Sequence, residues 1–493
     1  MKQGRGQMKQ GKFLWLLVTL LVGVVSCSHL PGTSKDQARE GNENGTMDGV
    51  AEIKGDLGPV GNKGQSVPDI PVKKFRLKNG LTVLISENHQ LPITSYYTFF
   101  DIGGRHEKPG ITGATHFLEH LMFKGAKKYG PGVFDTTIEK NGGSTNAYTS
   151  MDSTVYHQKF PSHLTKKIIE MEADRMVNLL LEPAAFEKER QVILEERKMR
   201  YENRPSGKLY LAMMQEVFKD TPYGGSVIGD IPDLKGVTRE QIWDHFRRYY
   251  APNNAVIVIV GDVDSQQVIR WINHNYGAIA PSKNLAEYKQ ERDDPTLYTH
   301  RARFGRSVNI HGGSPSPMFM LAYKGEAYGT RNSYVMDLIS SILGSGTSSY
   351  LNQRYVQGKK PRLASVYSGN YTLKHSGVFY IGGRLLPRTN LKSLKRSLLR
   401  DVKRSCTKMI TDRNHHKILN QFLHSLYHGL GSNSGVASFL GNYEFLKGDY
   451  AHYRQELAIY SSITLEEMRQ GCRTLFNPGQ YIFVSLWNKH PAK

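Results

Sequence analysis

Cysteine is scarce in this chain of 493 residues, which contains only Cys27, Cys406 and Cys472. None of the three has neighbours spaced like metal ligands, so a zinc finger or a cysteine-bound cluster is excluded. Cys406 and Cys472 could form one disulfide in an exported chain, but their spacing does not require it. We expect both to be small, buried side chains.

Acidic residues are also few, since 44 Asp and Glu stand against 65 Lys and Arg, a formal net charge of +21. Such a charge attracts anionic surfaces, including phospholipid headgroups, lipopolysaccharide and acidic polypeptides. No zinc finger, glycine-rich phosphate loop or aromatic–basic strand motif accompanies the charge, so we do not predict nucleic acid as a partner. A solvated basic face is the alternative explanation. The 39% hydrophobic content is enough for sizeable cores, and the length corresponds to about two to four domains.

Long apolar runs are absent except near the N-terminus. There, four basic residues precede the apolar stretch 13–25, which is too short to span a membrane but suits a secretory signal. Residues 24–27, Val-Val-Ser-Cys, resemble a bacterial lipobox in which Cys27 would carry the lipid. We therefore predict a lipoprotein-type signal peptide over 1–27 and a body anchored by lipid in the periplasm of a bacterial cell envelope. Ordinary signal-peptide cleavage or an uncleaved anchor is the alternative.

Residues 28–71 are rich in Gly, Asn, Asp, Ser, Lys and Pro and show no apolar periodicity. This composition cannot form a core and predicts a flexible tether between the anchor and a globular body.

The stretch 116–120, His-Phe-Leu-Glu-His, carries the clearest chemical signal in the chain. On a helix, His116 and His120 project from one face, where two imidazoles can hold one Zn²⁺. Glu119 lies on nearly the same face, within reach of a water at the metal. The order H-x-x-E-H is the inverzincin signature. A surface helix that carries these residues without metal is the alternative, and a third ligand would decide between the two.

The stretch 186–197 predicts a helix that could supply the third ligand. Four of its residues recur at helical spacing and share one face: Glu189, Val192, Ile193 and Glu196. Buried carboxylates are costly unless they are paired or bound to metal, so this mixed face is unusual for a core. A charged helix with an ordinary apolar stripe is the alternative.

Residues 115–125 resemble the first motif of the pitrilysin, insulinase and mitochondrial-processing-peptidase family of zinc metallopeptidases. In that family a glutamate about 76 residues after the second histidine is the third ligand, which here is Glu196. The resemblance therefore implies one Zn²⁺ per chain, held by His116, His120 and Glu196. It also implies that Glu189 supports a ligand through a hydrogen bond.

The resemblance extends over residues 72–490. It includes a first strand and turn at 75–83 and a substrate-binding edge strand at 141–149. It implies an α+β fold of two homologous domains, each a mostly antiparallel sheet covered by helices. We expect the catalytic domain at 72–285 and a second domain, which binds no metal, at 286–493.

The resemblance also implies a mechanism, in which Glu119 is the general base that takes a proton from a zinc-bound water. Asn146 and Ala147 would hold the substrate backbone at the edge strand, although an ordinary hairpin is the alternative for this segment. The predicted function is zinc-dependent endopeptidase activity on peptides or short unfolded polypeptides.

The chain departs from the family where the second domain usually places an Arg and a Tyr that contact substrate. Val356 and Ser365 align with those positions, and Arg354 and Tyr367 have the wrong spacing to replace them. Because related metal-bearing subunits obtain this pair from a metal-free partner, we predict a homologous second subunit. The alternative is a weakly active scaffold or peptide-binding subunit of an envelope complex.

Overall fold

The computed structural model describes residues 49–53, 68–312, 314 and 316–487. The predicted signal peptide and Cys27 lie outside this part of the chain and stay predictions, as does most of the predicted tether. Within the described ranges, no helix is long and apolar enough to cross a membrane.

The described residues form twelve strands and sixteen α-helices. The strands are β1 (Val50–Ile53), β2 (Lys73–Leu77), β3 (Thr82–Glu87), β4 (Ile93–Phe100), β5 (Ser144–Thr149), β6 (Thr154–Pro161), β7 (Ala255–Gly261), β8 (Arg306–His311), β9 (Met318–Gly325), β10 (Leu363–Thr372), β11 (Gly377–Leu385) and β12 (Tyr481–Trp487). The helices are α1 (Ala114–Leu121), α2 (Val133–Lys140), α3 (Thr165–Val177), α4 (Pro183–Arg197), α5 (Pro205–Val217), α6 (Ile231–Gly236), α7 (Arg239–Tyr249), α8 (Ser265–Tyr276), α9 (Leu285–Asp293), α10 (Arg331–Gly344), α11 (Tyr350–Tyr355), α12 (Leu391–Lys408), α13 (Asp412–Gly429), α14 (Asn433–Lys447), α15 (Tyr453–Ser462) and α16 (Leu465–Leu475).

The strands form two mixed sheets, in the orders β1-β2-β3-β7-β4-β6-β5 and β10-β11-β9-β12-β8. Every neighbouring pair is antiparallel except β3 with β7 in the first sheet and β12 with β8 in the second. The prediction of an α+β fold with mostly antiparallel sheets is thus confirmed. β7 is buried along nearly its whole length, as its run of Val and Ile residues predicts.

Each sheet is covered on one face by helices of its own half of the chain and on the other face by a helix from the other half. α14, from the second half, packs its Ala437 and Leu440 against Phe99 and Val258 of the first sheet. At Gly441 the ring of Phe99 lies so close that an added Cβ would be 2.0 Å from it. Close approach of the helix to the sheet therefore requires glycine at this position.

The second sheet receives α5 from the first half in the same way. The side of α5 that packs on β9 and β12 is apolar and fully buried, and it includes Leu209, Met213 and Met214. The sequence did not predict this exchange, which covers central strands of each sheet and buries apolar surface from both halves in shared clusters.

Cys406 of α12 and Cys472 of α16 form a disulfide between two buried side chains. The expected burial is confirmed, and the pairing that the sequence left open is now resolved. The bond fastens α12 to α16 on the helical side of the second sheet.

Candidate metal centre

The helix α1 is fixed at its N-terminus by the buried carboxylate of Glu107. Its two oxygens accept hydrogen bonds from the backbone N–H groups of Gly113, at 2.6 Å, and Thr115, at 2.7 Å. Gly113 adopts a φ of 87°, and a Cβ there would lie 2.1 Å from the carbonyl oxygen of Ile228. Backbone N–H groups at a helix start need such acceptors, so these contacts define where α1 begins and which way it points.

α1 directs both histidines of the motif toward the same carboxylate oxygen. The Nε2 atoms of His116 and His120 lie 3.6 Å and 3.3 Å from Oε2 of Glu196. One ligand atom from each of the three residues lies within 4.8 Å of the others, and no other cluster of this kind occurs in the described ranges. The structure therefore brings the three predicted ligands together.

Glu196 stands near the end of α4, where the chain passes into a π-helical turn, Lys198–Glu202. This turn places the guanidinium of Arg200 2.6 Å from Oε1 of Glu196. One carboxylate oxygen is thus held by a cation while the other faces the two imidazoles. The sequence did not single out Arg200, although it follows Glu196 by one helical turn.

Glu189 lies seven residues, about two helical turns, before Glu196 on α4 and is buried. It is 3.2 Å from Nδ1 of His120 and 2.7 Å from Nζ of Lys124. When the Nδ1–H group of His120 donates a hydrogen bond to Glu189, the unprotonated Nε2 atom is the one that can bind a cation beside Glu196. The structure thus places Glu189 in contact with the predicted ligand His120, and its role in supporting that ligand stays a prediction.

Glu119 is buried beside the two histidines, and the hydroxyl of Thr149 donates a hydrogen bond to its Oε2. Thr149 is the last residue of β5, so this bond connects α1 to the predicted substrate strand. Sequence reasoning did not select Thr149, although it belongs to the stretch 141–149 that resembles the edge strand.

Burial and charge shift the pKa values of these groups in opposite directions. Burial, with the charge of His120, lowers the pKa of His116 to about 3. Burial also opposes ionisation of His120 and Glu196. Nevertheless, hydrogen bonds to Glu189 and Glu196 raise the pKa of His120 to about 9, and the bond with His120 lowers the pKa of Glu196 to about 2. Burial raises the pKa of Glu119.

These shifts indicate that the carboxylates stabilise a positive charge at Nε2 of His120. The same carboxylates would stabilise a divalent cation bound between the three ligand atoms. Two imidazole nitrogens and one carboxylate oxygen are the donor set of a catalytic zinc site with an open fourth position. The residues of the centre therefore fit Zn²⁺.

Asn146 and Ala147 lie on β5 at the edge of the first sheet, where β5 pairs with β6 and, in the described part of the chain, with no other strand. The N–H of Ala147 donates to Oδ1 of Asn146 at 2.9 Å. The predicted strand edge is thus present beside Glu119, although contact with a substrate stays a prediction.

Arg354 and Tyr367, which were considered as replacements for the missing Arg and Tyr, make contacts within the second half of the chain. Arg354 on α11 pairs with the buried carboxylate of Asp401 on α12. Tyr367 on β10 packs edge-to-face with Tyr380, at 6.2 Å between ring centroids. Arg354 therefore has a structural partner within its own half.

Comparisons with known proteins assign the chain to a family. Residues 82–231 match the family described as Insulinase (Peptidase family M16), and residues 236–422 match Peptidase M16 inactive domain. The chain belongs to peptidase family M16. The sequence resemblance to pitrilysin, insulinase and the mitochondrial processing peptidase is thereby confirmed.

Among M16 relatives, zinc protease PqqE of Helicobacter pylori is 31% identical over 372 residues, covering 74% of this chain and 82% of the relative. The beta subunit of the mitochondrial-processing peptidase of Saccharomyces cerevisiae is 24% identical over 385 residues, with 74% and 80% covered. The crystal structure of a protease from Helicobacter pylori superimposes with a TM-score of 0.77 at 28% identity, covering 85% of this chain and 100% of that structure. The family therefore includes members that are named zinc proteases.

Proposed function

We propose that this chain is a zinc-dependent endopeptidase that hydrolyses peptides or short unfolded polypeptides. The observation that supports it is the convergence of His116, His120 and Glu196 to within 4.8 Å of one another, with the carboxylate of Glu119 buried beside them. The names of the M16 relatives support the same chemistry.

His116, His120 and Glu196 would hold the zinc ion. When bound, zinc supplies Lewis acidity toward the scissile carbonyl and acidifies water. Glu119 takes a proton from the attacking water and returns it to the leaving amine. Burial suits this second step because the raised pKa of Glu119 makes its carboxyl a stable proton carrier.

The other contacts of the centre position these groups. Glu189 orients His120, and Arg200 turns one oxygen of Glu196 away from the metal position. Thr149 fixes the carboxylate of Glu119 relative to β5. Ordered contacts of this kind keep ligands in one rotamer and raise the affinity of a metal site.

The substrate would bind as an added strand on the free edge of β5, in contact with the backbone of Asn146 and Ala147. Edge-strand addition uses main-chain hydrogen bonds and so accepts many sequences, provided that the segment is unfolded. This supports cleavage of peptides and unstructured chains rather than folded proteins.

The proposed enzyme includes a homologous, metal-free second subunit that supplies the missing Arg and Tyr. Three observations support it. Val356 and Ser365 stand at the aligned positions, and Arg354 is held by Asp401. One relative is also named as the beta subunit of a peptidase.

The proposed location is the bacterial cell envelope, with Cys27 carrying a lipid and the body in the periplasm. The motif at 24–27 supports it, and so does the Cys406–Cys472 disulfide, because such bonds persist in oxidising compartments.

The test is cleavage of an unstructured peptide by the full chain, alone and with a homologous metal-free chain, together with zinc analysis. Glu119→Gln should retain zinc and lose activity by about a thousandfold or more, because the general base is removed while the ligands remain. Glu195→Gln, an exposed change on α4, is the control. If Glu119→Gln cleaves as fast as wild type, the mechanism is wrong. If wild type binds zinc but does not cleave even with the partner, the chain is a scaffold.

A further inference from the structure

The positive charge of the chain is concentrated in one part of the second half. Between positions 354 and 417 there are sixteen Lys or Arg residues and two Asp residues, a net charge of +14 out of +21 for the whole chain. The formal charge of the remaining residues is modest by comparison. The excess therefore belongs to one region and is not a general property of the surface.

Six of these sixteen basic residues lie on the outer side of α12. Seven of its positions are exposed, and six of them are basic, a set that we call the basic face: Lys392, Arg396, Arg400, Lys403, Arg404 and Lys408. On the opposite side, Leu394, Leu398 and Val402 are buried in the core of the second half. The disulfide from Cys406 to Cys472 holds the same helix against α16.

The charges of the basic face are largely uncompensated. Arg400 lies 3.4 Å from the carboxylate of its neighbour Asp401, which also pairs with Arg354. The other five side chains of the face have no Asp or Glu within salt-bridge distance among the residues that the structure describes. A helix face on which cations so outnumber neighbouring carboxylates creates a strong positive potential at the surface, which is the field that an anionic partner requires.

A cavity of about 480 Å³ opens at the C-terminal end of the basic face. Its ten lining residues include the cations Arg354, Lys359 and Lys408 and no Asp or Glu. Ser348, Gln353 and Asn414 add polar groups to the lining of the same cavity, and Met409 adds an apolar side chain. This combination suits a phosphate-bearing headgroup attached to an apolar body.

We infer that the basic face and this cavity dock the protein on an anionic phospholipid surface. No exposed position of α12 carries an aromatic side chain on which bases could stack, and the disulfide indicates an oxidising compartment; both favour lipid over nucleic acid. The inference goes beyond the proposed peptidase activity and does not depend on it. Nor does it depend on lipidation of Cys27, because the contacts are made by the body.

The test is sedimentation with lipid vesicles of the full chain with Cys27→Ser, so that no lipid can be attached and the N-terminal segment is common to all variants. Neutral phosphatidylcholine vesicles are compared with vesicles that also contain phosphatidylglycerol. A quadruple variant, Lys392→Gln, Arg396→Gln, Lys403→Gln and Lys408→Gln, removes four charges of the basic face. The control neutralises four exposed lysines of the first half: Lys140→Gln, Lys166→Gln, Lys219→Gln and Lys235→Gln.

The face variant should lose about a hundredfold or more in affinity for the anionic vesicles, since it removes four cations and each near such a surface contributes about fivefold. The control should bind the anionic vesicles within about twofold of wild type. On neutral vesicles, the affinities of wild type, the face variant and the control should be the same. An equal loss in both quadruple variants would overturn the inference, because net charge alone would then explain binding. So would a face variant that binds vesicles normally but loses affinity for a duplex DNA or RNA probe.

Discussion

Thr149 donates a hydrogen bond to the carboxylate of Glu119, and so joins the last residue of the edge strand β5 to the helix that carries both histidines. The two residues are 30 positions apart in sequence. In the proposed enzyme, a substrate strand added to β5 would therefore lie beside Glu119, whose carboxylate is oriented by this hydroxyl group.

Thr149→Val removes this hydroxyl while keeping the shape of the side chain. We expect kcat for peptide cleavage to fall by about tenfold or more, since Glu119 loses the contact that orients it, whereas the zinc content should not change. Steady-state kinetics and metal analysis measure the two effects. Thr149→Ser keeps the hydroxyl and should recover most of the activity; a Ser variant as impaired as Val would show that the hydrogen bond has no positioning role.

Gly441→Ala tests the packing of α14 on the first sheet. A Cβ at this position would meet the buried ring of Phe99 at 2.0 Å, so either the helix or the ring must move. We expect the free energy of unfolding, measured in urea, to fall by about 1–3 kcal/mol. Gly429→Ala, at the end of α13, is the control, because a Cβ added there would meet no neighbour within 4 Å. It should leave the free energy of unfolding unchanged or raise it. Equal effects of the two changes would argue against the exchanged helix.

Asp337 should make the stability of the protein depend on pH. Burial raises its pKa to about 7, although Asn370 and Tyr460 donate hydrogen bonds to its carboxyl oxygens. The unfolded chain releases this proton near pH 4, so the contribution of the group is complete below that pH and is lost as the pH rises toward 7. Each pH unit in this window should lower the free energy of unfolding by about 1.4 kcal/mol.

Asp337→Asn removes this titration while preserving the shape of the side chain. Urea unfolding at pH 5, 6 and 7 should show that the variant gains stability relative to wild type as the pH rises. Asp412→Asn, an exposed change on α13, is the control and should run parallel to wild type. A constant difference between Asp337→Asn and wild type across the three pH values would rule out a raised pKa.

The site was largely predictable because its ligands occur at helical spacings, which local sequence encodes. The four-residue step from His116 to His120 and the seven-residue step from Glu189 to Glu196 each place two polar groups on one helix face. The family resemblance then joined the two helices, which spacing alone could not do. Thr149 was not selected because its contact with Glu119 depends on how β5 and α1 meet in three dimensions.

For the fold as well, the features encoded by local sequence were predicted, and those that depend on contacts between distant segments were not. The family resemblance predicted the α+β fold, and the run of Val and Ile at 255–260 predicts a buried strand, as β7 is. The exchange of α5 and α14 was not predicted, since an apolar helix face does not indicate which sheet it will cover. The pairing of Cys406 with Cys472 likewise depends on the approach of two helices that are distant in sequence.

The most direct test of the account is the zinc content of purified full chains that differ at two adjacent carboxylates of α4. Glu196 faces both histidines, whereas Glu195 is exposed and pairs with Lys198. Wild type and Glu195→Gln should each retain one zinc per chain after dialysis, and Glu196→Gln should lose it, because a neutral amide is a far weaker ligand. Wild type that holds no zinc, or a Glu196→Gln variant that retains it as well as Glu195→Gln does, would contradict the proposed metal centre.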